Sequence, residues 1–127
     1  GAAELPLLGL VAAGKPIEAV TSPETITVPE DMLGKKPTYV LQVKGDSMIE
    51  EQIRDGDFVI VESGDTAQNG ETVIALLNNG EATLKKYFRE NGKVRLQPAN
   101  SAMSPIVVSE DEIIIQGIVI GIIRKFR

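Results

Sequence analysis

The feature that most constrains this chain is a rhythm of short aliphatic runs broken by turn residues. From Pro37 onward, segments rich in Val, Ile, Leu and Thr occupy 38–43, 57–62, 71–77, 81–88, 93–96, 106–108 and 112–124, with Gly, Asn and Asp between them. β-Branched side chains in runs of this length suit a pleated surface. The pattern predicts a mostly β domain of about seven largely antiparallel strands. Asn78-Asn79-Gly80 and Glu90-Asn91-Gly92 supply the residues that tolerate positive φ in tight hairpins, so their flanking strands are expected to pair as a meander. Only 4% of the residues are aromatic and none is Trp, which leaves the core to aliphatic packing. At 127 residues the chain has room for one core and a tail.

Residues 4–34 carry most of the prolines and no clear period, and read as an extended arm whose apolar first half needs a groove. Gly1-Ala2-Ala3 reads as a cloning remnant. The compact domain is expected over 35–127. Within it, Ser47 to Arg54 places apolar residues at 48, 49 and 53, a helical spacing that predicts one short helix. The run Ile113 to Ile123 is far shorter than the roughly 20 apolar residues of a membrane helix and reads as a buried strand. The segment Leu5 to Gly14 is apolar but lacks the basic leader of a secretion signal.

Composition narrows the chemistry. The chain has 13 basic and 18 acidic residues, a net charge of -5, and no cluster of Lys and Arg to grip a phosphate backbone. With no cysteine there is neither a disulfide nor a thiolate. With no histidine the commonest general base and zinc ligand are missing. No cofactor and no metal are expected. Any catalysis falls to Ser, Thr, Lys, Asp, Glu or Tyr.

Gly45-Asp46-Ser47-Met48 follows a strand and precedes the expected helix, which sets a serine hydroxyl at a sharp turn beside free amide donors. That setting suits an acyl-transfer nucleophile and its oxyanion. It equally suits Asp46 or Ser47 as a helix cap, and the tetrapeptide alone does not separate the two.

Two further segments do, because Gly56-Asp57-Phe58-Val59-Ile60-Val61 and Ala82-Thr83-Leu84-Lys85-Lys86-Tyr87 follow in order. With Leu96-Gln97-Pro98, Asn100-Ser101, Pro105 to Val108 and Gly117 to Arg124, the chain resembles the Ser-Lys protease domain of LexA-type SOS repressors and their UmuD-type relatives. The resemblance implies Ser47 as nucleophile, Lys85 as general base, the backbone N–H groups of Asp46 and Ser47 as oxyanion donors, and Thr83 as orienter of the Lys85 amine. It also gives meaning to Val11-Ala12-Ala13-Gly14, since such repressors cut themselves at an Ala-Gly bond. A small residue before the cut and a glycine after it would let an extended backbone enter a tight site.

A lysine base must be neutral, and at an ordinary pKa of about 10.4 it is almost wholly charged at pH 7. Burial in an apolar cleft is the remedy, lowering the value by up to about 3 to 5 units. Strand parity, however, groups Lys86 with Ala82, Leu84 and Phe88, and Lys85 with Thr83 and Tyr87. Alternation alone would bury Lys86; the motif selects Lys85.

The resemblance further implies a cytoplasmic bacterial protein, a homodimer formed through the strand 113–123 as an exposed edge, a RecA filament on single-stranded DNA as the stimulus, and operator DNA bound only through an N-terminal domain outside this sequence. No membrane partner is expected. Three other readings compete. A type I signal peptidase expects proline soon after Ser-Met, where this chain has Ile49-Glu50-Glu51. A UmuD-type polymerase accessory protein shares the chemistry, but the Ala13-Gly14 bond favours the repressor. A non-catalytic dimerisation module would never cut itself.

Overall fold

A computed structural model describes residues 1–126. Ten strands form one sheet: β1 (Ala2–Ala12), β2 (Glu18–Ala19), β3 (Thr25–Pro29), β4 (Thr38–Lys44), β5 (Phe58–Ser63), β6 (Thr72–Leu77), β7 (Ala82–Glu90), β8 (Lys93–Gln97), β9 (Ile106–Ser109) and β10 (Ile113–Ile123). The order is β2-β1-β4-β5-β10-β6-β7-β8-β9, with β3 paired to β1 off that path. Every pairing is antiparallel except β1 with β4. The seven expected strands are β4 to β10. The three additional ones lie in the arm.

The arm is thus part of the sheet. Its pairing partners are distant in sequence, so no local period announces them. Leu5 and Leu7 of β1 and Ile26 and Val28 of β3 pack with Val40 and Ile60, covering one face of β4 and β5. Beyond the register shift between Leu7 and Gly9, Val11 joins the other cluster, with Leu41, Val43, Met48, Ile53, Val59, Val61, Ile74 and Leu84. β5 is therefore buried on both faces, with Val59, Ile60 and Val61 fully enclosed. A third cluster, Val73, Ala75, Tyr87, Val94, Leu96 and Ile115, fills the β6–β9 half. Ala2 and Ala3 pair with Pro29 and Val28, so the residues read as a remnant continue the strand.

The two hairpins form where the turn residues lie, linking β6 to β7 and β7 to β8. Asn91 and Gly92 both take positive φ, at 51° and 77°, whereas only Gly80 does so in the first turn. The short helix is a single 3-10 turn, Ile49–Glu51, stopped by Gln52 in the left-handed region at φ 63°. No side chain caps it, which removes the cap reading of Asp46 and Ser47. The apolar spacing reflects the buried residues that flank the turn, Met48 and Ile53, as well as it would a helix.

The expectation that β10 is an exposed edge needs correcting. Its first half pairs with β6 through Ile113 to Ile118 and its second half with β5 through Gly117 to Ile123. Where the two overlap, the strand is interior. Before the overlap the strand is paired with β6 alone, and from Val119 to Ile123 with β5 alone; in that second stretch Ile120 and Ile122 are exposed.

Candidate active site

The site forms where β1, β4 and β7 converge. β4 ends at Lys44, and Gly45 turns the chain at φ 94°. The turn is anchored on both sides: Gly45 N donates to Asp55 Oδ1 at 2.8 Å, and Met48 is buried in the central cluster. Between them Ser47 is half-buried, and its hydroxyl donates to the carbonyl of Leu84 over a long 3.4 Å. Leu84 directly precedes Lys85, so the serine turn rests against the strand that carries this lysine.

Lys85 is 1% exposed, and its Nζ donates to Thr83 Oγ1 at 2.6 Å. Desolvation pushes its pKa down to about 8. Roughly one amine in ten is then neutral at pH 7, against about one in three thousand at the ordinary value. Lys86 turns the other way, half-exposed, and pairs with Glu51 on the 3-10 turn. The parity argument therefore fails: Ala82, Thr83, Leu84 and Lys85 are all buried, because the curled sheet encloses both faces of β7 at this point. Alternation identifies a core face only where the other face meets water.

The segment Ala13-Gly14 lies beside the serine. β1 ends at Ala12, and Lys15 forms a bridge to Ala82, the first residue of β7, with Ala82 N donating to Lys15 O at 2.9 Å. Ala12, Ala13 and Lys15 of the arm line a cleft of about 230 Å³ together with Gly45, Asp46, Ser47 and Met103. The arm is docked. The backbone is not extended at Gly14, as the sequence led us to expect, but turns there with φ 77°; a Cβ at this glycine would meet nothing within 4 Å. Conformation rather than space calls for glycine. Among the described residues, the amides of Asp46 and Ser47 donate to no protein acceptor, and both flank the cleft. A metal site is absent among the described residues, where no three His, Cys, Asp or Glu side chains gather.

One supporting pair was not assigned from sequence. Asp57 is 1% exposed, and the Arg124 guanidinium grips it in a fork, Nε to Oδ1 at 2.7 Å and Nη2 to Oδ2 at 2.8 Å; Arg54 N donates to Oδ2 as well. The hydrogen bond from Arg124 is the chief reason its carboxyl sits below the usual carboxylate range. Nη2 also reaches Gln52 O at 2.7 Å, which ties the end of β10 to the turn after Ser47. The two partners are 67 residues apart, so spacing could not pair them.

A serine turn against a buried, partly neutral lysine, in a cleft shared with the chain's own arm, has the features of a peptidase. A family model described as Peptidase S24-like matches residues 6–120. The chain belongs to the Peptidase S24-like family, and its class is that of a serine peptidase domain. Among its relatives is the LexA repressor of Syntrophobacter fumaroxidans, 50% identical over 127 residues, which cover all of this chain and 61% of that protein. The LexA repressors of Syntrophotalea carbinolica and Koribacter versatilis are each 52% identical, over 98% of this chain and 61% and 59% of theirs. The chain thus spans about three-fifths of the length of the curated relatives it matches. No helix of the described residues is long and apolar enough to cross a membrane.

Proposed function

We propose that this chain is the self-cleaving protease domain of an SOS-response transcriptional repressor, and that it cuts its own Ala13-Gly14 bond with Ser47 and Lys85. The observation that carries the reading is the shared cleft: Ala13 and Ser47 both line it, and the Ser47 hydroxyl donates to the carbonyl of Leu84, the residue before the buried Lys85. Neutral Lys85 takes the proton from Ser47 Oγ as the oxygen attacks the Ala13 carbonyl carbon. The oxyanion that forms is met by the Asp46 and Ser47 amides, each such donor contributing about 3 kcal/mol to lowering the barrier. Collapse breaks the bond to Gly14 N, and Lys85 returns its proton to that leaving amine. Water then hydrolyses the ester on Ser47, freeing a new carboxylate at Ala13. Thr83 holds the amine in place through its hydroxyl.

The docked arm gives the substrate a high effective concentration, so a stimulus acts by raising the share of docked, correctly seated arms. A RecA filament on single-stranded DNA is the stimulus implied for a repressor of this kind. Operator DNA would be bound by a further N-terminal domain, in a cytoplasmic bacterial protein. The half-paired stretch Val119 to Ile123, with Ile120 and Ile122 exposed, is the surface through which two copies would pair. A sedimentation run at tens of micromolar should give a dimer, and a Ile120→Lys chain a monomer; a wild-type monomer would refute this contact.

The peptidase reading is tested by holding the purified chain at pH values from about 6 to 10.5 and following intact mass. A fragment ending at Ala13 should appear at a rate that climbs to a plateau with a midpoint near pH 8, where Lys85 loses its proton. Ser47→Ala and Lys85→Ala chains should stay whole. An unchanged mass across the range would leave a non-catalytic module as the better reading.

A further inference from the structure

The loop after β8 grips the nucleophile turn along its backbone. Ala99 N donates to Ser47 O at 2.8 Å, Glu50 N donates to Ala99 O at 2.7 Å, and Ser101 N donates to Glu50 Oε2 at 2.8 Å. One contact in this set comes from a side chain of the loop: Asn100 Nδ2 donates to Asp46 O at 2.9 Å. The carboxamide is itself anchored, because its Oδ1 accepts from Ala102 N at 2.9 Å, while the backbone carbonyl of Asn100 accepts from Met103 N at 3.0 Å and closes the loop turn. Its orientation is fixed by its partners, since a carbonyl can only accept and an N–H only donate.

Asp46 O belongs to the peptide that ends in Ser47 N–H. In a trans peptide the oxygen and the hydrogen point in opposite directions in one rigid plane. Whatever holds Asp46 O therefore fixes the direction of the Ser47 amide. Two donors hold it: Ile49 N from the 3-10 turn at 3.2 Å, and Asn100 Nδ2 from the loop. Two donors fix a plane better than one, and the second comes from outside the turn, 54 residues away, where it resists motion of the turn as a body.

We infer that Asn100 is a positioning residue: by holding Asp46 O it sets the plane of the Asp46-Ser47 peptide, and with it the aim of the Ser47 amide and hydroxyl at the Ala13 carbonyl. The inference rests on the self-cleavage reading and adds a residue to it. Asn100 touches neither reacting bond. Its effect is on how often the turn is in the productive geometry, and a misplacement of about 1 Å can cost on the order of a hundredfold in rate.

Asn100→Asp isolates the contact. It keeps the Oδ1 acceptor for Ala102 N, and so the loop turn, but replaces the donor with a carboxylate oxygen facing Asp46 O. First-order self-cleavage of the full chain should be followed from pH 6 to 10 beside the parent and Asn100→Ala, with thermal melts of all three. The plateau rate should fall about tenfold to a hundredfold in both variants, while the midpoint of the pH profile stays at the parent's value, because Lys85 remains buried by the same neighbours. A plateau within twofold of the parent would overturn the inference. So would a loss that only tracks the unfolded fraction read from the melt at the assay temperature, since that is a structural role. If the parent itself leaves Ala13-Gly14 uncut, the self-cleavage reading fails first, and the positioning role falls with it.

Discussion

Lys85 is the residue on which stability and the proposed chemistry pull in opposite directions. Its folded pKa of about 8 lies below the ordinary 10.5, so the fold favours the neutral amine. Between these values the unfolded chain binds a proton that the folded chain does not, and stability rises with pH through that window. Below pH 8 the penalty is present in full, about 3 kcal/mol from the size of the shift. Lys85→Met removes the charge while keeping the volume, and leaves Thr83 Oγ1 without its donor, a smaller loss of about 1 kcal/mol. In a Ser47→Ala background, urea unfolding should find Lys85→Met more stable by about 2 kcal/mol at pH 7. The advantage should shrink as pH rises from about 8 toward 10.5. An advantage that does not change with pH would mean that Lys85 titrates normally.

At the scale of the element, β10 decides whether the two halves of the sheet are one. At Gly117 the strand changes partners, facing Ser63 on one side and Ile74 on the other. A Cβ at this position would lie 2.4 Å from Val61 Cγ1 and 2.8 Å from Glu62 O, and the second of these is backbone that cannot swing away. Glycine is required by the close approach of β5. Gly117→Ala should cost at least about 1–3 kcal/mol in a chemical denaturation curve. Gly64→Ala, where the nearest atom is Lys36 Nζ at 3.7 Å, should stay within about 0.5 kcal/mol. Equal effects would argue that Gly117 is not a point of close packing. The same crossing explains why the edge of β10 is only half available to a second copy.

For the whole molecule, the arm is both structural strand and proposed substrate. Its first part is held by the Leu5, Leu7, Ile26 and Val28 cluster, while Gly14 turns in the left-handed region at the cleft. Only the tip must then move for seating to change, with the rest of β1 as its anchor. A residue with a Cβ pays about 1–2 kcal/mol in that left-handed conformation. Gly14→Ala should accordingly slow self-cleavage about tenfold at every pH, with the midpoint unmoved and the melting temperature shifted by only a few degrees. A rate equal to the parent's would mean that the productive arm does not use this turn.

Some of this was written in the sequence. The runs and turns that became β4 to β10 are local patterns, set by how β-branched side chains and Asn-Gly turns behave wherever they occur. The order Ser47, Thr83, Lys85 was legible through the resemblance to a family, which is what singled these residues out for the proposed chemistry. Other features were decided only by tertiary structure. Which lysine is buried depended on β7 being enclosed on both faces, and that follows from the curl of the sheet rather than from period two. The arm's three strands, the Asp57–Arg124 fork and the Asn100 clamp each join residues far apart in the chain. Such contacts leave no trace in spacing, because the partners are selected by the fold that brings them together.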